Sequence, residues 1–176
     1  MKVVGFAGYS GSGKTTLVES LIGVLRERGL RVSVIKHAHH NFDIDQPGKD
    51  SWRHREAGAF EVLAVSSRRL TLQRQFEQPG RLSVHQLIAE LWDGVDWVLV
   101  EGFKSSDLLK IEVWRHAAGQ PTRYTEDDFV VAIATDSPDQ LPEPTLRPLL
   151  DCNDAAGICD WLLANQDRFE YNPLLP

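Results

Sequence analysis

Short apolar runs alternate with amphipathic stretches along this chain, and their order predicts its architecture. Residues 3–7, VVGFA, have the length and composition of a strand buried on both faces of a parallel sheet. Leu17, Leu21 and Leu25 then recur at i, i+4 and i+8, and Val18 and Ile22 widen the stripe, which predicts a helix. Arg26 and Arg28 suit its negative C-terminal end, and Gly29 suits its stop. RVSVIK at 31–36 is the second strand, so the chain opens with a βαβ unit, whose crossover is right-handed.

Three further strands are predicted in DWVLVEGF (96–103), LKIEVWR (109–115) and FVVAIATD (129–136). FEVLAVSSRRLTLQRQF (60–76) alternates in two halves about Ser66 and Ser67, the pattern of an antiparallel hairpin at a sheet edge. Ser83 is placed to cap a helix through Leu91, and Asn153 or Asp154 to start one that ends near Ala164. Residues 37–58 are polar, with a turn at Pro47-Gly48 and helical character only at 51–57. Pro138, Pro142, Pro144 and Pro148 mark a stiff connection, and the tail after Asp167 reads as loose.

Composition narrows the classes. With 176 residues, 42% hydrophobic and 25% charged, the chain fits one globular domain. A net charge of -6 argues against general affinity for nucleic acid or an anionic membrane, so any anionic ligand needs a local pocket. Cys152 and Cys159 lack the paired spacing of a structural zinc site and are expected to be reduced thiols. No apolar run approaches the ~20 residues that span a bilayer, and the chain enters its first strand without a leader, so a cytoplasmic location is expected.

The candidate chemistry begins where the first strand ends. Residues 8–15, GYSGSGKT, match GxxxxGK[ST], the Walker A phosphate loop, between a predicted strand and a predicted helix. Glycines let successive backbone N–H groups point at one centre, Lys14 neutralises β- and γ-phosphate charge, and the Thr15 hydroxyl can ligate magnesium. The helix N-terminus adds a favourable dipole. Such a loop works with a carboxylate at the end of a neighbouring strand, and WVLVEG supplies Glu101, which as a glutamate could also orient water or simply face solvent. Gly8, Lys36-His37, Glu101-Gly102 and Asp136 all fall at predicted strand ends, which share one edge in a parallel sheet. The expected fold is therefore α/β, P-loop NTPase-like and three-layered, with a mostly parallel central sheet and an antiparallel edge hairpin. One nucleotide-binding domain covers residues 1–167 and a tail covers 168–176.

Other residues carry weaker signals. His37, His39 and His40 could hold a metal, contact substrate or phosphate, or lie in a solvated loop; in extended chain His40 faces away from the other two. Asp43 and Asp45 share a side if the chain stays extended and could hold magnesium through water, against the reading of a hydrophilic loop. Trp92, Trp97, Trp114 and Trp161 fit core or interface packing better than base stacking. Arg53, Arg55, Arg68, Arg69 and Arg74 could form an anion patch, but they are diluted by acids and divided between elements, and most read as solvated. Asp136 is either a reader of the guanine edge or a cap for the turn before Pro138.

Taken together, GYSGSGKTTL, VIKHAHHNFDIDQPGKDSWRHREAGA, VLVEGFK, KIEV and IATD resemble the molybdopterin-guanine dinucleotide biosynthesis protein B family, MobB, over roughly residues 2–163. The resemblance implies a dimeric GTP-binding protein with weak, magnesium-dependent GTPase activity. Such a protein assists the guanylyltransferase that joins GMP to molybdopterin, and molybdopterin itself is a candidate ligand. By position, phosphate binding falls on Gly11, Ser12, Gly13, Lys14, Thr15 and Thr16, with Lys14 and Glu101 as the catalytic pair and Thr15 and Glu101 on the metal side. His37, His39, Asp43 and Asp45 fall in a switch-like or cofactor-facing loop. The chain lacks the NKxD element of regulatory GTPases, and Tyr9 stands where some dimeric P-loop ATPases carry a further lysine. Two other classes use parts of the same pattern: a small-molecule kinase, and a nucleotide-gated metal-delivery protein in which the histidines are primary.

Overall fold

A computed structural model describes residues 1–38, 43–78, 80 and 82–173. In chain order the regular elements are β1 (Lys2–Ala7), α1 (Lys14–Glu27), β2 (Val32–Lys36), α2 (Asp50–Glu56), β3 (Glu61–Val65), β4 (Leu70–Arg74), α3 (Val84–Ala89), β5 (Trp97–Glu101), β6 (Lys110–Trp114), β7 (Val130–Thr135), β8 (Leu149–Asp151) and α4 (Ala155–Ala164). They fall into two compact units, one built from Met1–His37 with Ser83–Pro176 and the other from Ala38–Leu82.

The first unit is a six-stranded sheet in the order β2-β5-β1-β6-β7-β8, and every pair is parallel. Because strand side chains alternate, the central strands feed two cores at once. Val4, Phe6, Trp97, Leu99, Ile111 and Val113 pack with Leu17, Leu21 and Leu25 of α1 and Ile158 and Leu162 of α4. On the opposite face Val3, Val98, Val100 and Ile35 pack with Val84 and Ile88 of α3. This is the expected three-layer α/β arrangement.

The helix ends follow the predicted signals. Past α1, the Gly29 N–H reaches the Arg26 carbonyl and the Leu30 N–H the Leu25 carbonyl, with Gly29 at φ 79°, a paired closure that suits glycine. Ser83 and Gln86 form a reciprocal capping box on α3, and Asp154 accepts from the Gly157 N–H to start α4. The strand β8 was hidden in the sequence: only three residues long, it follows Pro148 inside the segment read as a stiff connection. The tail is not loose at its start. Phe169 is buried against Trp97 and Trp161, and the Tyr171 N–H reaches the Met1 carbonyl.

Trp97 and Trp114 are buried as expected, whereas Trp92 is 79% exposed and belongs to no core. Cys152 and Cys159 are buried free thiols, and burial raises the pKa of both. Among the described residues no helix is long and apolar enough to cross a bilayer.

In the second unit the expected hairpin is present. β3 and β4 pair antiparallel about a turn in which the Ser66 N–H reaches the Arg69 carbonyl and the Ser66 hydroxyl accepts from the Arg68 and Arg69 N–H groups. It forms a two-stranded sheet of its own rather than extending the six-stranded one. Leu63 pairs with Leu72 and Val65 with Leu70, so these four apolar side chains share one face, and all four are exposed.

Candidate functional site

β1 runs out at Ala7 and the chain curls through the glycine-rich loop into α1. Gly8, Gly11 and Gly13 have φ of 137°, 82° and 91°, a region that side chains other than glycine rarely adopt. Gly8 is also sterically fixed, because a Cβ there would lie 2.4 Å from the Val113 carbonyl oxygen of β6. Gly13 occupies the cap position of α1 and has no side chain to cap the helix, and the first turn carries no acidic residue. The positive end of the helix therefore lacks a built-in anion. Lys14 Nζ donates to the Tyr9 carbonyl at 2.7 Å and to Ser12 Oγ at 3.4 Å, spanning the loop. Burial lowers the Lys14 pKa, the Glu101 charge opposes that shift, and the Lys36 charge adds to it.

Three elements meet next to this loop. Thr15 Oγ1 donates to Glu101 Oε1 at 2.6 Å, and Lys36 Nζ lies 3.3 Å from both Thr15 Oγ1 and Glu101 Oε2. Glu101, at the end of β5, is 8% exposed. The chain turns sharply after it, with Gly102 at φ 102° and Phe103 at φ 43°. His37 donates its backbone N–H to the Glu101 carbonyl, and its ring stands edge-on to Phe103 with centroids 5.0 Å apart. Thr16 is exposed on the first turn of α1.

Two cations near the loop were not singled out from sequence. Lys104 Nζ lies 5.6 Å from the centroid of the Tyr9 ring, and the Arg115 guanidinium packs beside Gly13, 3.3 Å from where a Cβ would stand. Arg115 pairs with Asp136 and donates to Asn153 Oδ1 at 2.8 Å. The sequence signal for Arg115 is its position as the last residue of a predicted strand, which in the structure ends one residue earlier at Trp114. Asp136 also accepts from the Ser137 hydroxyl at 2.8 Å; that bond first, and Arg115 after it, lower its pKa. It lines a cavity of about 260 Å³ with Thr135, Pro138, Leu149, Asp151 and Asn153, at the carboxyl ends of β7 and β8.

The remaining candidates are placed differently. Asp43 and Asp45 belong to the second unit, and the chain there is turned rather than extended: the Asp45 N–H reaches Asp43 Oδ1 at 2.9 Å. Arg55 clamps both oxygens of Asp43 at 2.8 and 2.7 Å, a pairing that with the Asp45 N–H holds its pKa at about 2. Arg55, one of five arginines of which most read as solvated, is thus half of a bidentate pair. Asp45 accepts from the Ser51 hydroxyl at 2.9 Å. His39 and His40 lie outside the described residues, and among the described residues no three His, Cys, Asp or Glu side chains converge as metal ligands.

A parallel sheet, a GxxxxGKT loop between its central strand and first helix, and a carboxylate at the end of the adjacent strand define the P-loop NTPase-like class of α/β folds. Comparison with known proteins narrows this class. The family model "Molybdopterin guanine dinucleotide synthesis protein B" matches residues 3–136, and the chain belongs to that family, MobB. It is 40% identical over 164 residues to the molybdopterin-guanine dinucleotide biosynthesis adapter protein of Escherichia coli (strain K12), covering 92% of this chain and 91% of that one. The adapter protein of Haemophilus influenzae is 41% identical over 162 residues, covering 91% of this chain and 86% of that one. The crystal structure of a MobB homolog from Bacillus stearothermophilus superposes with a TM-score of 0.66 at 25% identity, covering 94% of this chain and 97% of that one. For Bacillus subtilis MobB, at 24% identity, the TM-score is 0.70, with 98% of this chain and 100% of that one covered; it shares the fold.

The steric demand at Gly8 gives a direct test of the loop geometry. Gly8→Ala combines a forbidden φ with a Cβ driven into the Val113 carbonyl, and it is expected to cost about 1–3 kcal/mol. Urea denaturation should show a lower midpoint, and an unchanged midpoint would contradict this loop conformation.

Proposed function

We propose that this chain is a GTP-dependent adapter in molybdopterin-guanine dinucleotide biosynthesis. In this reading it binds magnesium GTP at the phosphate loop, hydrolyses it weakly, and assists in the cytoplasm the guanylyltransferase that joins GMP to molybdopterin. Family membership and the adapter proteins that it resembles support the pathway. The observation that carries the nucleotide reading is the uncapped start of α1 with Lys14 folded over the loop and Thr15 bonded to Glu101 across the sheet edge.

The site residues fit a divalent ion. Thr15 Oγ1 and Glu101 Oε2 already share one cation, the Lys36 ammonium, and hard oxygens at the phosphate edge suit magnesium. Bound there, the ion would neutralise β- and γ-phosphate charge. The chain's own groups do the rest. Loop N–H groups and Lys14 hold and orient the phosphates, Glu101 holds the metal side in place, and Asp136 faces the base from the cavity beyond Arg115.

Calorimetry with GTP, with and without magnesium, tests this directly. Lys14→Ala should stay folded and bind GTP about 10- to 100-fold more weakly, because a charge-assisted contact is lost. Thr15→Ala should lose affinity chiefly in the presence of magnesium; equal losses in both conditions would remove Thr15 from the metal side.

Base choice is assigned to Asp136. A carboxylate accepts from the guanine N1–H and amine, whereas adenine presents a lone pair there. GTP should therefore bind more tightly than ATP, and Asp136→Ala should bring the two affinities together while sparing the magnesium requirement. Retained guanine preference with lower thermal stability would make Asp136 a structural turn residue.

The exposed face of Leu63, Val65, Leu70 and Leu72 is the proposed contact between two copies of the chain, since an unpartnered apolar hairpin is an aggregation hazard. Val62 pairs with Gln73 on the other face. Sedimentation should give a dimer that Leu63→Glu with Leu72→Glu dissociates. A monomeric native protein would refute this arrangement, and an undisturbed dimer would move the interface elsewhere.

A further inference from the structure

Lys36 is a cation that the phosphate-loop pattern does not ask for, and it sits directly on the Thr15–Glu101 pair. It ends β2, and its ammonium donates to Thr15 Oγ1 and pairs with Glu101 Oε2, each at 3.3 Å. The Thr15 proton is already committed to Glu101 Oε1 at 2.6 Å. Lys36 therefore takes one of the two lone pairs of Thr15 Oγ1, the atom through which Thr15 could ligate a metal. One ammonium thus engages both protein oxygens of the metal side. The two partners differ in freedom: the Glu101 side chain is 11% exposed and the Lys36 side chain 54%. The carboxylate is held by the strand, while the four-carbon stem can swing toward solvent.

A carboxylate this enclosed is costly without a counter-charge. Lys36 supplies one within the chain. Lys14 also feels the Glu101 charge, but its ammonium is directed at the Tyr9 carbonyl and Ser12.

We propose that Lys36 is the resident cation of this site: it holds the Thr15–Glu101 pair in the nucleotide-free protein, excludes a divalent ion until a polyphosphate arrives, and then gives way to that ion. The arriving phosphates offer the displaced ammonium a new anionic partner, so ion and nucleotide bind as a coupled pair rather than independently. The inference rests on the reading of Thr15 and Glu101 as metal-side groups, and base choice does not enter it.

The test uses the full chain without nucleotide and manganese(II) as the probe, followed by electron paramagnetic resonance and calorimetry. Lys36→Met keeps the apolar stem and removes the charge, Lys36→Ala removes both, and Lys36→Arg keeps a cation. The Met and Ala variants should bind manganese at least about tenfold more tightly than the native protein, since Glu101 loses its ion-pair partner. Lys36→Arg should remain weak. Without metal Lys36→Met should melt below the native protein and recover on adding manganese, and Glu101→Gln in that background should abolish binding.

Equal manganese affinity in the native protein and Lys36→Met, no binding by Lys36→Met, or binding that survives Glu101→Gln would each overturn the proposal. Failure of the native protein to bind GTP would instead overturn the nucleotide reading and leave the manganese comparison standing.

Discussion

The register between β1, β5 and β2 sets Glu101 and Lys36 side by side at the edge of the sheet where the loop begins. Phe6 pairs with Glu101, and Glu101 pairs with Lys36. In that register Trp97, Leu99 and Glu101 point to the face covered by α1, and so do Val32 and Lys36, while Val98, Val100 and Ile35 point to the α3 face. A slip of one residue would exchange the faces, burying Glu101 against Val84 and Ile88 and parting it from Thr15. The hydrophobic alternation that fixes the strand thus also aims the carboxylate. Gly8, pressed against the β6 backbone, fixes the loop on the other side of β1, and α1 delivers Lys14 and Thr15 into the same space.

The resulting electrostatics run against the charge of the whole molecule. The chain carries a net charge of -6, yet Lys14, Lys36, Lys104 and Arg115 gather about one loop, where Glu101 pairs with Lys36 and Asp136 with Arg115. Local excess of positive charge at a helix start is what a polyanion requires, and the acidic remainder suppresses indiscriminate binding elsewhere. The lowered pKa of Lys14 follows from the same crowding, since burial and Lys36 both disfavour a second ammonium there.

Much of this was legible along the chain because local patterns encode it. Alternation exposed the hairpin, the leucine stripe exposed α1, and the glycine spacing exposed the loop. The misses have a common physical cause. β8 is three residues long and gains its identity from pairing with Ile133, Ala134 and Thr135, a contact that no local window contains. Phe169 looked like a tail residue because its partners, Trp97 and Trp161, lie in other elements. Arg55 and Arg115 looked solvated or went unnoticed because an arginine declares its role only through the carboxylate that it meets, here Asp43 and Asp136.

Asp136 illustrates how such a partner changes a functional argument. Read from sequence, it was either a free carboxylate awaiting guanine or a cap for a turn; it is a carboxylate with one oxygen on Ser137 and the other on Arg115. Those contacts do not exhaust it, since two carboxylate oxygens offer about four acceptor directions. They also lower its pKa, which keeps it ionised and acceptor-only, the state that a guanine edge needs and an adenine edge opposes. The same Arg115 rests on Gly13 of the phosphate loop. On the proposed reading, a base drawn into the cavity would therefore share its acceptor with a cation that also touches the phosphate end, so that neither end of the nucleotide is recognised in isolation.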